Sequence, residues 1–236
     1  MVFVGLALVA AVCYLIGSAN SSIIISKVMG TDIRKSGSGN AGATNMLRVH
    51  GKKIGALTLL IDVLKGVVSV LICILAAFIM RRYHLGMESW DTLRETALQS
   101  PWSEEFWVYS YRFIGGIFVV LGHNFPVFFG FHGGKGVATS AGVVLMLNWP
   151  TALITILLTL IVIAVSGYVS LGSVLSPLFY VAAVVIFNLC FTDLPFNYLW
   201  FIFALVMGTS VIIRHHANIG RLIHGTESNL RRKEKK

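Results

Sequence analysis

Charge is what this chain has least of. Only 12% of its 236 residues are Asp, Glu, Lys or Arg, against about a quarter in a typical soluble domain. Acids are the scarcer sign, 10 against 19 Lys and Arg, and almost none stand in the polar stretches described below. That scarcity argues against a magnesium–nucleotide site, which needs carboxylate ligands. Cysteine is nearly missing too. Cys13, Cys73 and Cys190 each lie in an apolar run with no metal-ligand spacing, so they read as buried small hydrophobes and nothing suggests a disulfide framework. No metal and no cofactor is expected. The first apolar run has no basic stretch before it and no clear cleavage site, so it is expected to be retained as a membrane span.

Several catalytic signatures are also missing. Gly133-Gly134-Lys135-Gly136 invites comparison with a phosphate-binding loop, but Gly136 stands where Ser or Thr is required and Phe129 where the first glycine belongs. There is no His-x-x-x-x-Asp pair to activate a hydroxyl and no Gly-x-Ser-x-Gly elbow.

What is abundant is apolar sequence, 56% of the chain, with a mean hydropathy of +0.79. Runs long enough to cross a bilayer recur along its length. The expectation is an all-α polytopic membrane protein forming a single domain over residues 1–236. Seven transmembrane helices are expected: 3–28, 54–80, 106–121, 137–147, 150–165, one ending near 191, and 196–213. Asn148 and Pro150 favour two helices over one between 137 and 165. Residues 81–105 form a polar excursion carrying Trp90 and Trp102, and 222–236 a basic tail. The basic loops all fall on one side, which places that side in the cytoplasm, the N-terminus outside and the C-terminus inside. The same asymmetry explains the net charge of +9 without nucleic acid.

Within the second span, Asp62 and Lys65 are three residues apart and share a helical face. Charges there are costly unless paired, and they read as a structural ion pair anchoring the adjacent loop. That loop, Ser36–Asn45, holds three glycines and no apolar side chain larger than alanine, so it cannot pack a core. Glycines let consecutive amides approach an anion, and Ser38, Asn40, Thr44 and Asn45 offer neutral hydrogen bonds. On the same expected face stand Arg48, His123, Lys135, Ser173, His215 and Asn218. Cations and hydroxyls without carboxylates suit a phosphorylated substrate at a membrane surface. His123 reads equally well as a loop-packing histidine.

Three long motifs carry a resemblance. Ser36-Gly37-Ser38-Gly39-Asn40-x-Gly42-Ala43-Thr44-Asn45-x-x-Arg48, the stretch from Gly122-His123 to Gly136-Val137-Ala138-Thr139, and Arg214-His215-x-x-Asn218-Ile219-x-Arg221 with Glu227 resemble, in order, those of the bacterial acyl-phosphate:glycerol-3-phosphate acyltransferases. The resemblance implies transfer of an acyl group from acyl phosphate to the sn-1 hydroxyl of glycerol 3-phosphate in the bacterial inner membrane, at a site facing the cytoplasm. It implies that Ser38, Arg48, Lys135, Ser173, His215 and Asn218 hold the phosphates and reacting centre, with Ser38, His215 and Asn218 catalytic and Glu227 structural; the base is either His215 or a phosphate oxygen of the substrate. Glycerol 3-phosphate, acyl phosphate and membrane lipid are the expected partners, for a monomer coupled to an acyl-phosphate-producing enzyme. A transporter of phosphate or an organic phosphate is the alternative, but such proteins commonly show internal repeats and midplane sites, and no repeat is evident.

Overall fold

The computed structural model describes residues 2–85, 104–192 and 197–231. Among the described residues all regular structure is helical: α1 (Val2–Ser18), α2 (Ser21–Val28), α3 (Ala43–Leu85), α4 (Glu104–Asn124), α5 (Val137–Leu147), α6 (Trp149–Ser166), α7 (Val169–Cys190), α8 (Tyr198–Arg214) and α9 (His216–Ile223). Short 3-10 turns at Ile33–Lys35 and Val127–Phe129 sit in the loops. Residues 86–103, and with them Trp90 and Trp102, lie outside the described set.

Five segments among the described residues are long and apolar enough to cross a membrane, and a sixth if α8 and α9 are joined across their 59° bend. The expected seven is therefore met in part. The shortfall is one of length: α5 has 11 residues, about 17 Å of rise against a hydrocarbon core of about 30 Å.

Breaks fall where local chemistry supplies caps. The first run is two helices, because Asn20 turns out of α1 and its Oδ1 accepts from Ile23 N at 3.1 Å to start α2. Asn148 does the same for α6, accepting from Thr151 N at 3.1 Å with Pro150 in the first turn, so 137–166 is two helices. α3 begins eleven residues before the expected 54 and turns at Gly51, whose φ of 84° is a conformation only glycine adopts readily. Pro177 inside α7 cannot donate to Ser173 O, and the Ser176 hydroxyl takes that carbonyl at 3.0 Å instead.

In lipid, apolar side chains gain little by packing on each other, so helices associate through close backbone contact. α1 crosses α4 at Gly17 and Gly122, where a Cβ would overlap the carbonyl oxygens of Val119 and Tyr14. α3 crosses α5 at Gly66 and Gly142, where a Cβ would overlap those of Thr139 and Val63. Between these crossings lies one core containing Val70, Val119, Val143, Phe203 and Val184. Cys13 and Cys73 are buried in it as expected, but Cys190 is exposed, because it ends α7 on its outer surface. The tail is not a free basic arm over its described part. Leu230 N and Asn229 Nδ2 donate to Gly167 O (2.9 Å) and Ser166 O (3.0 Å), and Arg231 reaches Ala164 O. These donors satisfy carbonyls that α6 leaves open at its C-terminus.

Candidate functional site

All of Ser38, Asn40, Thr44, Asn45, Arg48, Lys135, Ser173, His215 and Asn218 line a single cavity of about 620 Å³, together with His123, Asp62 and Glu227. Its polar end is formed by the 38–45 loop, the 135–136 turn and the α8–α9 junction. An apolar arm descends from there between α3, α5, α6, α7 and α8.

The 38–45 loop is held from within. Asn45 is buried, its Oδ1 accepts from Ser38 N at 2.9 Å, and its Nδ2 donates to Ile33 O and Ser36 O at 3.2 and 2.9 Å. Its amide is thus occupied in shaping the loop, whereas the sequence reading set it among the substrate contacts. Gly37 takes φ 58° with Asn45 Oδ1 where a Cβ would stand, so no other residue fits there. The side chains of Ser38, Asn40, Thr44 and Arg48 line the cavity at the N-terminus of α3, whose first amides favour an anion. Arg34 braces this loop against the next: it pairs with Asp32 at 2.8 Å and donates to Phe129 O at 3.1 Å.

The second loop brings Lys135 to the cavity just before α5. Its Nζ donates to Asn218 Oδ1, Asn218 Nδ2 donates to Glu227 Oε1 at 3.0 Å, and Arg221 Nε donates to Glu227 Oε2 at 2.6 Å. Burial works to raise the Glu227 carboxyl, but Arg221 and Asn218 outweigh it and hold it below the usual range. Glu227 is therefore a carboxylate that orients Asn218, which orients Lys135. Arg214 secures the loop from the other side, donating to Gly134 O at 3.2 and 2.8 Å and lying over the Phe125 ring.

His215 is buried where α8 bends into α9. Its Nδ1 lies 2.8 Å from Val211 O, and a carbonyl can only accept, so Nδ1 carries the proton and Nε2 presents a lone pair. Ser173 gives its proton to Val169 O at 3.0 Å, leaving its oxygen as an acceptor.

The Asp62–Lys65 pair forms, at 3.0 Å, but it does not anchor the 36–45 loop as expected. Lys65 Nζ also approaches His123 Nδ1 (2.7 Å) and Gly17 O (3.3 Å), which accounts for all three ammonium protons. Asp62 accepts from Ser21 Oγ at 2.8 Å. The pair instead locks the break between α1 and α2 to α3 and α4, and Lys65 itself does not line the cavity.

Sequence reasoning assigned no site role to Asn20, Ser21, Arg34 or Arg214. Arg214 had a signal, its place directly before His215. The others join segments far apart in the chain.

Lys135 carries a pH signature. Burial, then the charge of Arg221, pushes its ammonium down to about 8, with Arg214 and Arg48 adding to the effect and Glu227 opposing it. Below that pH Lys135 is cationic and attracts phosphate; above it the attraction is lost. The kcat/KM for a phosphorylated substrate, which reports groups on the free protein, is expected to fall as pH rises through about 8. In Lys135→Arg the fall should move well to higher pH, because guanidinium stays charged. A pH–rate profile checks both; an unchanged limb in Lys135→Arg assigns it elsewhere.

Fold and cavity together define a helical integral membrane protein with a cationic, hydroxyl-lined site opening onto an apolar arm. A family model described as glycerol-3-phosphate acyltransferase matches residues 7–225, and the chain belongs to that family. It is 40% identical over 232 residues to the glycerol-3-phosphate acyltransferase of Clostridioides difficile (strain 630), covering 96% of both chains. To that of Aquifex aeolicus (strain VF5) it is 39% identical over 215 residues, 91% of this chain and 93% of that protein. The crystal structure of PlsY (YgiH), an integral membrane glycerol 3-phosphate acyltransferase, in its glycerol 3-phosphate form superposes with a TM-score of 0.73 at 33% identity, covering 95% of this chain and 94% of that one. Its lysophosphatidic acid form gives 0.70 over the same shares.

Proposed function

We propose that this protein transfers a fatty acyl group from an acyl phosphate to the sn-1 hydroxyl of glycerol 3-phosphate, giving lysophosphatidic acid and inorganic phosphate. The observation that carries this is the convergence of Arg48, Lys135 and the His215 Nε2 lone pair on one cavity. The N-termini of α3 and α5 face it as well, through residues 42–44 and 136–138, so two phosphate groups each have a helix end and a cation. Acyl phosphate is a mixed anhydride with a good leaving group, so the protein needs no nucleophile of its own. In this reading His215 Nε2 takes the proton of the attacking hydroxyl. The new ester C–O bond forms as the acyl C–O bond to phosphate breaks, and phosphate leaves with the electron pair. Ser38 and the loop amides stabilise the developing oxyanion, and Lys135, set by Asn218, stabilises the departing phosphate. Both carboxylates lining the cavity are engaged, Asp62 by Lys65 and Glu227 by Arg221, which favours a reaction that runs without a divalent ion. Purified protein supplied with palmitoyl phosphate or palmitoyl-coenzyme A tests the reading, since only the former should support transfer.

The seven-crossing topology belongs to the same reading. Lining residues fall near the C-terminal ends of α4, α6 and α8 and the N-terminal ends of α3, α5 and α7, as expected if successive crossings alternate and α5 with its preceding turn makes a short one. The basic residues gather at that end, which the positive-inside rule assigns to the cytoplasm, here of a bacterial inner membrane. A cysteine at Ser228 should then react with an impermeant thiol reagent in inverted vesicles and not in intact cells; the reverse pattern would overturn the orientation.

A further inference from the structure

The arm of the cavity ends at a similar depth on every helix that lines it. On α7 the lining runs from Val169 to Tyr180 and on α3 from Lys52 to Val63, about 16 Å at the helical rise. On α5 it runs from Gly136 to Leu145, on α6 from Ile163 back to Thr155, and on α8 from His215 back to Met207, about 12 to 14 Å. Beyond that depth the residues are core: Ala152, Val184 and Phe203 are all buried. The bulkiest group at the end of the arm is Tyr180, 5% exposed. Its hydroxyl accepts from Trp200 Nε1 at 3.0 Å, and Trp200 in turn packs edge-on against Phe187, centroids 5.7 Å apart. The ring is held on its far side and cannot swing aside without breaking that contact.

We propose that Tyr180 is the stop against which the end of the donor acyl chain comes to rest, so that it sets the chain length the protein prefers. This rests on the acyl-transfer reading above and adds to it a specificity-determining residue. An extended chain advances about 1.2 Å per bond, so an arm of this depth takes about ten to thirteen carbons beyond the reacting carbonyl. Each methylene that enters the arm adds packing contacts with its walls and raises kcat/KM, until the chain meets the ring and the gain stops.

The experiment measures kcat/KM for saturated acyl phosphates of increasing length in one mixed-micelle composition. Each variant is divided by wild type at every length, which cancels partitioning. Tyr180→Ala is expected to move the plateau about three carbons longer, the length a phenol ring occupies, while Tyr180→Phe keeps the ring and keeps the plateau. Thr159→Phe, one turn nearer the polar end on a lining face, is expected to move it about four carbons shorter, one helical pitch. The last variant also covers the case in which Tyr180→Ala does not fold. A plateau that stays put in the folded variants, with short chains still transferred, overturns the stop and leaves the acyl-transfer reading standing. No transfer at any length by wild type overturns that reading, and the stop with it.

Discussion

Replacing Arg48 and Lys135 together by alanine is expected to lower kcat/KM for glycerol 3-phosphate by about two to four decades, with the protein still folded. A charge-assisted hydrogen bond to phosphate is worth about 1.5–3 kcal/mol, or about one to two decades apiece. Both side chains face the cavity, so their loss leaves no charge stranded in the core. Removing Lys135 does release Asn218, but Asn218 keeps Glu227 as a partner. Each single variant should lose about half the logarithm of the double, with some departure because the two share substrates. Kinetics on detergent-purified protein, with elution volume as the check on folding, decide the matter. Near-normal kcat/KM in both single variants removes these loops from substrate binding.

Asp62→Ala is expected to have the largest effect on stability, and for the opposite reason. Asp62 is 1% exposed and Lys65 7%, so truncating the acid strands an ammonium inside the bundle. Breaking such a pair typically costs about 3–5 kcal/mol, a large part of a total that is about 5–15. The yield of folded protein should fall sharply, and its unfolding transition should drop. Asp62→Ala with Lys65→Met should recover much of the loss, because a buried pair replaced by apolar groups is often neutral. If the double variant is no better than Asp62→Ala alone, the ion pair is not what makes Asp62 matter.

The two predictions mark what sequence could and could not say. The Ser36–Asn45 loop was legible because a stretch of Gly, Ser and Asn between apolar runs has nothing to pack and much to bind with. The break at Asn148 was legible because an Asn cap followed by Pro is a local signal. That Asn45 turns inward to hold Ser38 N was not, since the same residue type serves a substrate or a backbone equally well. Asp62 and Lys65 announced a pair by their spacing, yet their partners Ser21, Gly17 and His123 come from helices distant in sequence. The tail's contact with α6 was hidden for a similar reason, because the carbonyls it satisfies exist only once α6 stops at Gly167. Hydropathy marks each apolar run as a crossing, whereas by length the described helices give five, or six with α8 and α9 joined across their bend, and α5 is too short to register.

The donor is the point on which the account stands most exposed. With no His-x-x-x-x-Asp pair in the sequence and, among the described residues, no carboxylate free to hold a metal in the cavity, the geometry suits a donor that is already activated. The measurement is free phosphate and lysophosphatidic acid determined side by side, with purified protein, glycerol 3-phosphate and a chelator. Palmitoyl phosphate should give both products in equal amounts, and palmitoyl-coenzyme A neither. Equal transfer from the thioester, or abolition of transfer by the chelator, would contradict the account.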